Sequence, residues 1–318
     1  MRGLLLIALA AVLAAGMGWA FFATWADIAA VGEGVLSALW TLPVLIGVHL
    51  VQLLLSSLSW RLLFARTVPS IASCFRLRLI REGIDSLLPV AQIGGEVIVA
   101  RMLTKRGIEA AQAGAGVIVD VSLEVLSQAV FLLTGIGALA LLAGGGRSTE
   151  WFGTLALAAV AAGGFLLAQR LGLLRLLEML TDRIAGQFPD LANLSLSGLH
   201  AGAAAIYRRG RALFAATLLH FLSWSLGMIE TWVILYALGV PASLAQALVI
   251  ESLGMAARTA GFAIPGALAV QEGGFALAAL SAGLPESVGL SLSLVKRTRE
   301  ILVGVAGVVL AWLGGGFR

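Results

Sequence analysis

The sequence predicts an all-α integral membrane protein: one polytopic domain over residues 1–318, with about six full spans, two re-entrant broken-helix hairpins and an inverted-topology internal repeat. Three observations predict it. Of 318 residues, 60% are hydrophobic and 12% charged, against roughly 25% charged in a soluble domain. The chain cannot cover a globular surface with polar groups, so part of its solvent must be lipid. Six stretches reach the roughly 20 apolar residues that a spanning helix needs. Two further apolar stretches are broken by proline and glycine at matching positions.

In chain order the expected spans are 3–25, 36–64, 109–143, 151–170, 211–237 and 286–313. The first lacks an obvious small-residue cleavage site and is read as a retained helix. The broken segments cover 83–104 and 256–282. Residues 171–210 read as a cytoplasmic amphipathic helix, in which leucines alternate with Arg175, Glu178, Asp182 and Arg183, followed by a small polar linker. The 39 glycines and eight tryptophans suit closely packed membrane helices with interfacial anchors.

The broken segments repeat one another. A single constant offset carries Pro89 onto Pro265, Glu96 onto Glu272, Gly107 onto Gly283, Asp120 onto Lys296 and Glu124 onto Glu300. Upstream, a slightly shorter offset carries Trp60 onto Trp232 and Pro69 onto Pro241, a difference that one short insertion explains. The repeat units are 36–143 and 211–313. Pro89, Gly94 and Gly95 in one, and Pro265, Gly266, Gly273 and Gly274 in the other, form the hairpins. Irregular backbone at membrane depth survives only where it is buried in protein or lines a wet cavity.

Lysine and arginine placement sets orientation. Arg66, Arg76, Arg78, Arg81, Arg101, Lys105 and Arg106 follow the second span, and Arg170, Arg175, Arg183, Arg208, Arg209 and Arg211 follow the fourth. Both groups belong in the cytoplasm, as do both termini. The second unit then starts on the opposite side from the first. Inverted repeats with broken helices near the midplane mark transporters.

Charges inside predicted membrane segments are the candidate site: Glu96, Arg101, Asp120, Glu124, Glu272, Lys296, Arg297, Arg299 and Glu300. A charge at mid-bilayer costs several kcal/mol unless paired or hydrated. The bland reading is that these groups only lock the bundle. Against it, "KRTRE" (Lys296 to Glu300) carries three bases and one acid. That surplus calls for an anion such as lipid phosphate, which arginine grips in a bidentate manner. The acidic face of Asp120 and Glu124 is expected to meet Lys296 and to leave Arg297 for a ligand. Glu96 and Glu272 are expected to satisfy backbone amides or to sense protons.

Other residues carry blander expectations. His49, His200 and His220 have no second ligand at metal spacing, and no metal or other cofactor is expected. Ser56, Ser57 and Ser59 are expected to bond back to helix carbonyls, and Glu230 to lie near the outer interface. The single cysteine, Cys74, excludes an internal disulfide. The sequence pI near 10 comes from bases dispersed beside apolar spans. That placement suits anionic headgroups and topology rather than nucleic acid.

The stretches "REGIDSLLPVAQIGGEVIVARML", "IESLGMAARTAGFAIPGALAVQEGGFALAAL" and "LSLVKRTREILVG" closely resemble the HpnL-type membrane proteins associated with hopanoid biosynthesis. These belong to a flippase-like group related to the membrane domain of lysylphosphatidylglycerol synthases. The resemblance runs from about Trp60 to Trp312, and its two Pro-to-Glu motifs with "SLVKR" are specific. It implies a multi-pass protein of the bacterial cytoplasmic (inner) membrane that moves or binds a polar lipid: an anionic phospholipid, an aminoacyl-lipid or a hopanoid. Lipid-biosynthesis enzymes are the implied partners. In the synthases an aminoacyl-transferase domain follows the membrane part. This chain stops at Arg318, so that activity is expected to be absent. Where the family has asparagine, this chain has Asp85. A non-transporting partner of a lipid-modifying enzyme and an intramembrane lipid-modifying enzyme remain the rival readings.

Overall fold

A computed structural model describes residues 28–65, 67–88, 94–142, 196–261, 264 and 267–314. Every secondary-structure element among them is helical. Helix α1 (Ile28–Ala38) passes through a 3-10 turn (Leu39–Thr41) into α2 (Leu42–Leu63), with a proline in its first turn. Helix α3 (Ile71–Leu87) starts at Ser70, whose hydroxyl accepts from the Ser73 amide at 3.2 Å. It ends because Leu88 is extended, with φ −102° and ψ 148°, as a residue before a proline prefers. Helices α4 (Gly94–Thr104) and α5 (Ala110–Leu142) follow.

A second series runs α6 (Leu196–Tyr207), α7 (Gly210–Ala237), α8 (Leu244–Ala260), α9 (Val270–Ser281) and α10 (Glu286–Leu313). Ser243 and Gln246 close a capping box at the start of α8. Helices α3 and α8 are both 17 residues long, each entered through a serine cap. The turn before α5 uses Gly107 at φ +84°, and the turn before α10 uses Gly283 at φ +79°.

Packing follows the same order in both series. Helix α2 lies against α7, α3 against α4, and α8 against α9. Contacts also cross between the series: α3 packs on α10, and α8 packs on α5. The α3–α10 crossing is close. A Cβ on Gly83 would run into the backbone of Gly304 and Val308, and one on Gly307 into the Leu79 carbonyl. Small residues of this kind let membrane helices approach backbone to backbone. One apolar core gathers Trp60, Leu77, Ile84, Leu103 and Val119, and another gathers Leu45, Ile250, Phe275 and Leu292.

Among the described residues, three helical stretches are long and apolar enough to cross a membrane: Ala30–Leu63, Ala110–Leu142 and Gly210–Ala237. At 33 residues and about 1.5 Å per residue, α5 is about 50 Å long. Helix α10 coincides with the sixth expected span. The broken segments are longer than expected. Helices α3 and α8 begin at Ile71 and Leu244, so these segments take in what the sequence had presented as connections. Arg76, Arg78, Arg81, Glu82 and Asp85 depress hydropathy along α3 and disguise it as a loop. Part of the expected polar linker is also helical: α6 packs on α5, with Gly202 set close to Ala115. The spans expected at 3–25 and 151–170, the amphipathic stretch from 171, and Pro89, Pro265 and Gly266 lie outside the described residues.

Candidate functional site

Two clusters of buried charge lie where the shorter helices α3, α4, α8 and α9 meet the long helices. The first is organised by two arginines of α3. Arg78 binds Asp120 in a short contact, approaches Glu124 at 3.4 Å and donates to the Ser56 carbonyl at 3.2 Å. Its guanidinium lies 5.5 Å from the Trp60 ring centre. Arg81, one turn on, donates from Nη1 to Glu124 at 3.0 Å and from Nε to Glu96 at 3.0 Å. Asp85 stands 3.7 Å from the same Nε. His220 of α7 reaches Asp120 at 3.1 Å. A small cavity opens beside Arg78, Arg81 and Asp120.

The double glycine at the start of α4 has a steric cause here. The Gly95 amide donates to Asp85 Oδ1 at 2.8 Å. A Cβ on Gly95 would meet the Arg81 carbonyl at 2.7 Å and Asp85 Oδ1 at 2.7 Å. Only glycine lets α4 begin against α3, and that approach brings Glu96 onto Arg81.

The second cluster is organised by α10. Lys296 Nζ lies 2.8 Å from Glu251 and 3.3 Å from Glu230, and 5.8 Å from the Phe275 ring centre. Arg299 makes a short contact with Glu230 and lies 3.7 Å from Glu300. Arg297 pairs with Glu272 at 2.7 Å and with Glu300 at 3.4 Å. Arg258 of α8 approaches Glu300 at 3.6 Å, and Gln271 donates to Glu300 at 3.4 Å. Glu251 also accepts from the Thr231 hydroxyl at 2.5 Å. Beside it, His49 and Glu82 pair at 2.6 Å.

The structure therefore gathers Glu96, Asp120 and Glu124 in one cluster and Glu272, Lys296, Arg297, Arg299 and Glu300 in the other. Arg101 is buried in the last turn of α4, beyond Glu96. Two expected contacts are corrected. Asp120 pairs with Arg78, Arg81 and His220, whereas Lys296 pairs with Glu230 and Glu251. Arg297 is not left for a ligand, because Glu272 at the start of α9 meets it. The surplus of base read in "KRTRE" disappears once Glu230, Glu251 and Glu272, which come from three other helices, are counted.

Smaller expectations also change. Glu230 is fully buried within the protein. Ser57 bonds back to the Leu53 carbonyl at 2.6 Å, but Ser56 reaches Ser223 at 3.3 Å, and the Ser59 hydroxyl has no partner among the described residues. No group of three or more His, Cys, Asp or Glu side chains could hold a metal among the described residues.

Sequence reasoning missed Arg78, Arg81, His220, Glu230, Glu251 and Arg258 as site residues. One signal pointed to two of them. The interval from Arg78 to Glu251 equals the interval from the start of α3 to the start of α8. The Arg78 partner Asp120 falls on Lys296 by the constant sequence offset noted above, and the ion pairs Arg78–Asp120 and Glu251–Lys296 have opposite polarity.

Comparison with known proteins gives one match. The family model described as lysylphosphatidylglycerol synthase TM region covers residues 5–307. No curated protein and no solved structure matches the chain.

Proposed function

The chain belongs to the lysylphosphatidylglycerol synthase transmembrane-region family, and from that premise we propose that it moves a polar lipid between the leaflets of the bacterial inner membrane. One observation carries the reading. Two broken-helix hairpins, α3–α4 and α8–α9, each bring a glutamate near the start of a short helix to a buried cluster of ion pairs. Charged side chains in membrane segments mark substrate or ion pathways when they face a bundle interior.

The proposed architecture is an inverted repeat of units 36–143 and 211–313. It is supported by matched helix order, equal lengths of α3 and α8, crossed packing of α3 on α10 and α8 on α5, and the sign-reversed ion pair. Both termini are cytoplasmic in this proposal. Arg78 and Arg81 no longer count toward topology, since both pair internally. Arg76, Lys105, Arg106, Arg208, Arg209 and Arg211 keep the bias. The headgroup would pass along the charged clusters while the tails stay in lipid. Its class is an anionic phospholipid, an aminoacyl-lipid or a hopanoid with a polar extension. Because the bases are met by glutamates, an anion must compete for them rather than fill a vacancy.

A transporter is favoured over an enzyme because the acids of the two clusters face arginine and lysine side chains, an arrangement suited to holding and passing charge. The test is reconstitution of the full chain in vesicles carrying a labelled lipid from each class. The expected result is transfer between leaflets faster than in protein-free vesicles, with the lipid chemically unchanged. Chemical conversion of the lipid would establish an enzyme. Absence of both transfer and conversion, across all three classes, would leave the non-transporting partner of a lipid-modifying enzyme.

A further inference from the structure

The two charged clusters are not balanced alike. In the first, Arg78 and Arg81 face four carboxylates, Asp85, Glu96, Asp120 and Glu124, among the described residues. In the second, Arg258, Lys296, Arg297 and Arg299 face Glu230, Glu251, Glu272 and Glu300, with the His49–Glu82 pair alongside. The difference has a local origin. At the interval that joins α3 to α8, Asp85 corresponds to Arg258. One series carries an acid where the other carries a base.

The surplus falls at the start of α4. Arg81 Nε donates to Glu96 at 3.0 Å and lies 3.7 Å from Asp85, whose other donor is the Gly95 amide, so two carboxylates depend on one guanidinium for counter-charge. Glu96 is 9% exposed, and its Oε2 has no hydrogen-bond partner. The other base of α4, Arg101, lies in its last turn. Asp120 and Glu124 of α5 occupy further arginine donors. His220 of α7 stands on Asp120, so even a charged imidazole leaves one carboxylate unmatched. From the other packed elements, Glu82 turns to His49 of α2, and Arg299 of α10 is held by Glu230 and Glu300. A buried carboxylate without a counter-charge takes up a proton rather than remain ionised. The described acids do not group as a metal ion requires.

We propose that Asp85 and Glu96 together hold one exchangeable proton. Hydronium protonates one carboxylate oxygen and leaves water, and the resulting acid donates a hydrogen bond within the cluster. Return of the proton to water restores two carboxylates facing one guanidinium across α3 and α4. Their repulsion favours separation of the two helices. The proton site rests on this geometry. Its use as the driving ion rests on the lipid-moving reading above.

Infrared spectroscopy of the full chain in lipid tests it, through the C=O stretch of protonated carboxylic acid. The wild type is expected to show this band at neutral pH and to lose it on alkaline titration. Glu96→Gln and Asp85→Asn should each remove it, whereas Glu272→Gln should keep it, because Arg297 neutralises that acid. A wild type without the band, a band unchanged in both first-cluster variants, or a band displaced by sodium but not potassium would overturn the proton site. In the same vesicles, an imposed proton gradient should accelerate labelled-lipid transfer in the wild type but not in Glu96→Gln. Transfer indifferent to the gradient overturns the coupling. Absence of transfer with the band present overturns the lipid reading and leaves the proton site standing.

Discussion

Arg81 joins more acids than any other base in the first cluster, with Asp85, Glu96, Asp120 and Glu124 all within 3.7 Å of its guanidinium. Removing one partner of a buried ion pair costs about 3–5 kcal/mol, because the other charge is stranded. Arg81→Gln should therefore destabilise the chain strongly, whereas Glu96→Gln, which removes a surplus acid, should be neutral or stabilising. Thermal unfolding in detergent reads the difference in sign. Lys296→Gln should also cost about 3–5 kcal/mol, but by stranding Glu230 and Glu251 rather than Asp120. The sign-reversed pair permits a sharper test. Arg78→Glu and Asp120→Lys should each destabilise alone and partly rescue one another together, reproducing the Glu251–Lys296 polarity. Rescue remains partial because Ser56 and His220 lose their contacts.

Among the elements, the α3–α10 crossing is the most constrained. Gly83→Val would press a side chain into the backbone of Gly304 and Val308 and should abolish a monodisperse folded species. Gly137→Ala, with nothing within 4 Å of its Cβ position, should not. Size-exclusion profiles of the two variants check this. Just before α9, Ala267 and Ala269 lie at φ 49° and 64°, a region that favours glycine by roughly 1 kcal/mol per residue. Ala269→Gly should accordingly raise the midpoint of thermal unfolding. These elements differ in how much of them the sequence disclosed. Helices α5, α7 and α10 nearly coincide with the expected 109–143, 211–237 and 286–313, since an uninterrupted apolar run reports itself locally. Helix α3 did not, because its charges look like a loop until Asp120, Glu124, Glu96 and His49 are brought against them. Of those partners, His49, Asp120 and Glu124 lie 33, 42 and 43 residues away, beyond a hydropathy window of about 19 residues. The repeat proposed above was legible through glutamates that keep their sign, Glu96 with Glu272 and Glu124 with Glu300, whereas the Arg78–Glu251 correspondence changes sign and gave no such signal.

At the scale of the whole molecule, two packed helix pairs, α3–α4 and α8–α9, reach clusters that differ in charge balance. Glu96→Gln and Glu272→Gln should both impair lipid transfer more than expression, for different reasons. The first fixes the cluster in its protonated form, and the second removes the carboxylate that Arg297 meets at 2.7 Å. If both variants transfer lipid at the wild-type rate in vesicles, neither glutamate belongs to the mechanism. The central claim is that the hairpins open to opposite faces of the membrane, and sidedness of labelling tests it most directly. In a Cys74→Ala background, Glu109→Cys marks the connection after the first hairpin and Ser281→Cys the connection after the second, both at exposed positions. With a membrane-impermeant maleimide, the account predicts labelling of the first only from the cytoplasmic side and of the second only from the outside. Labelling of both from one side would contradict it.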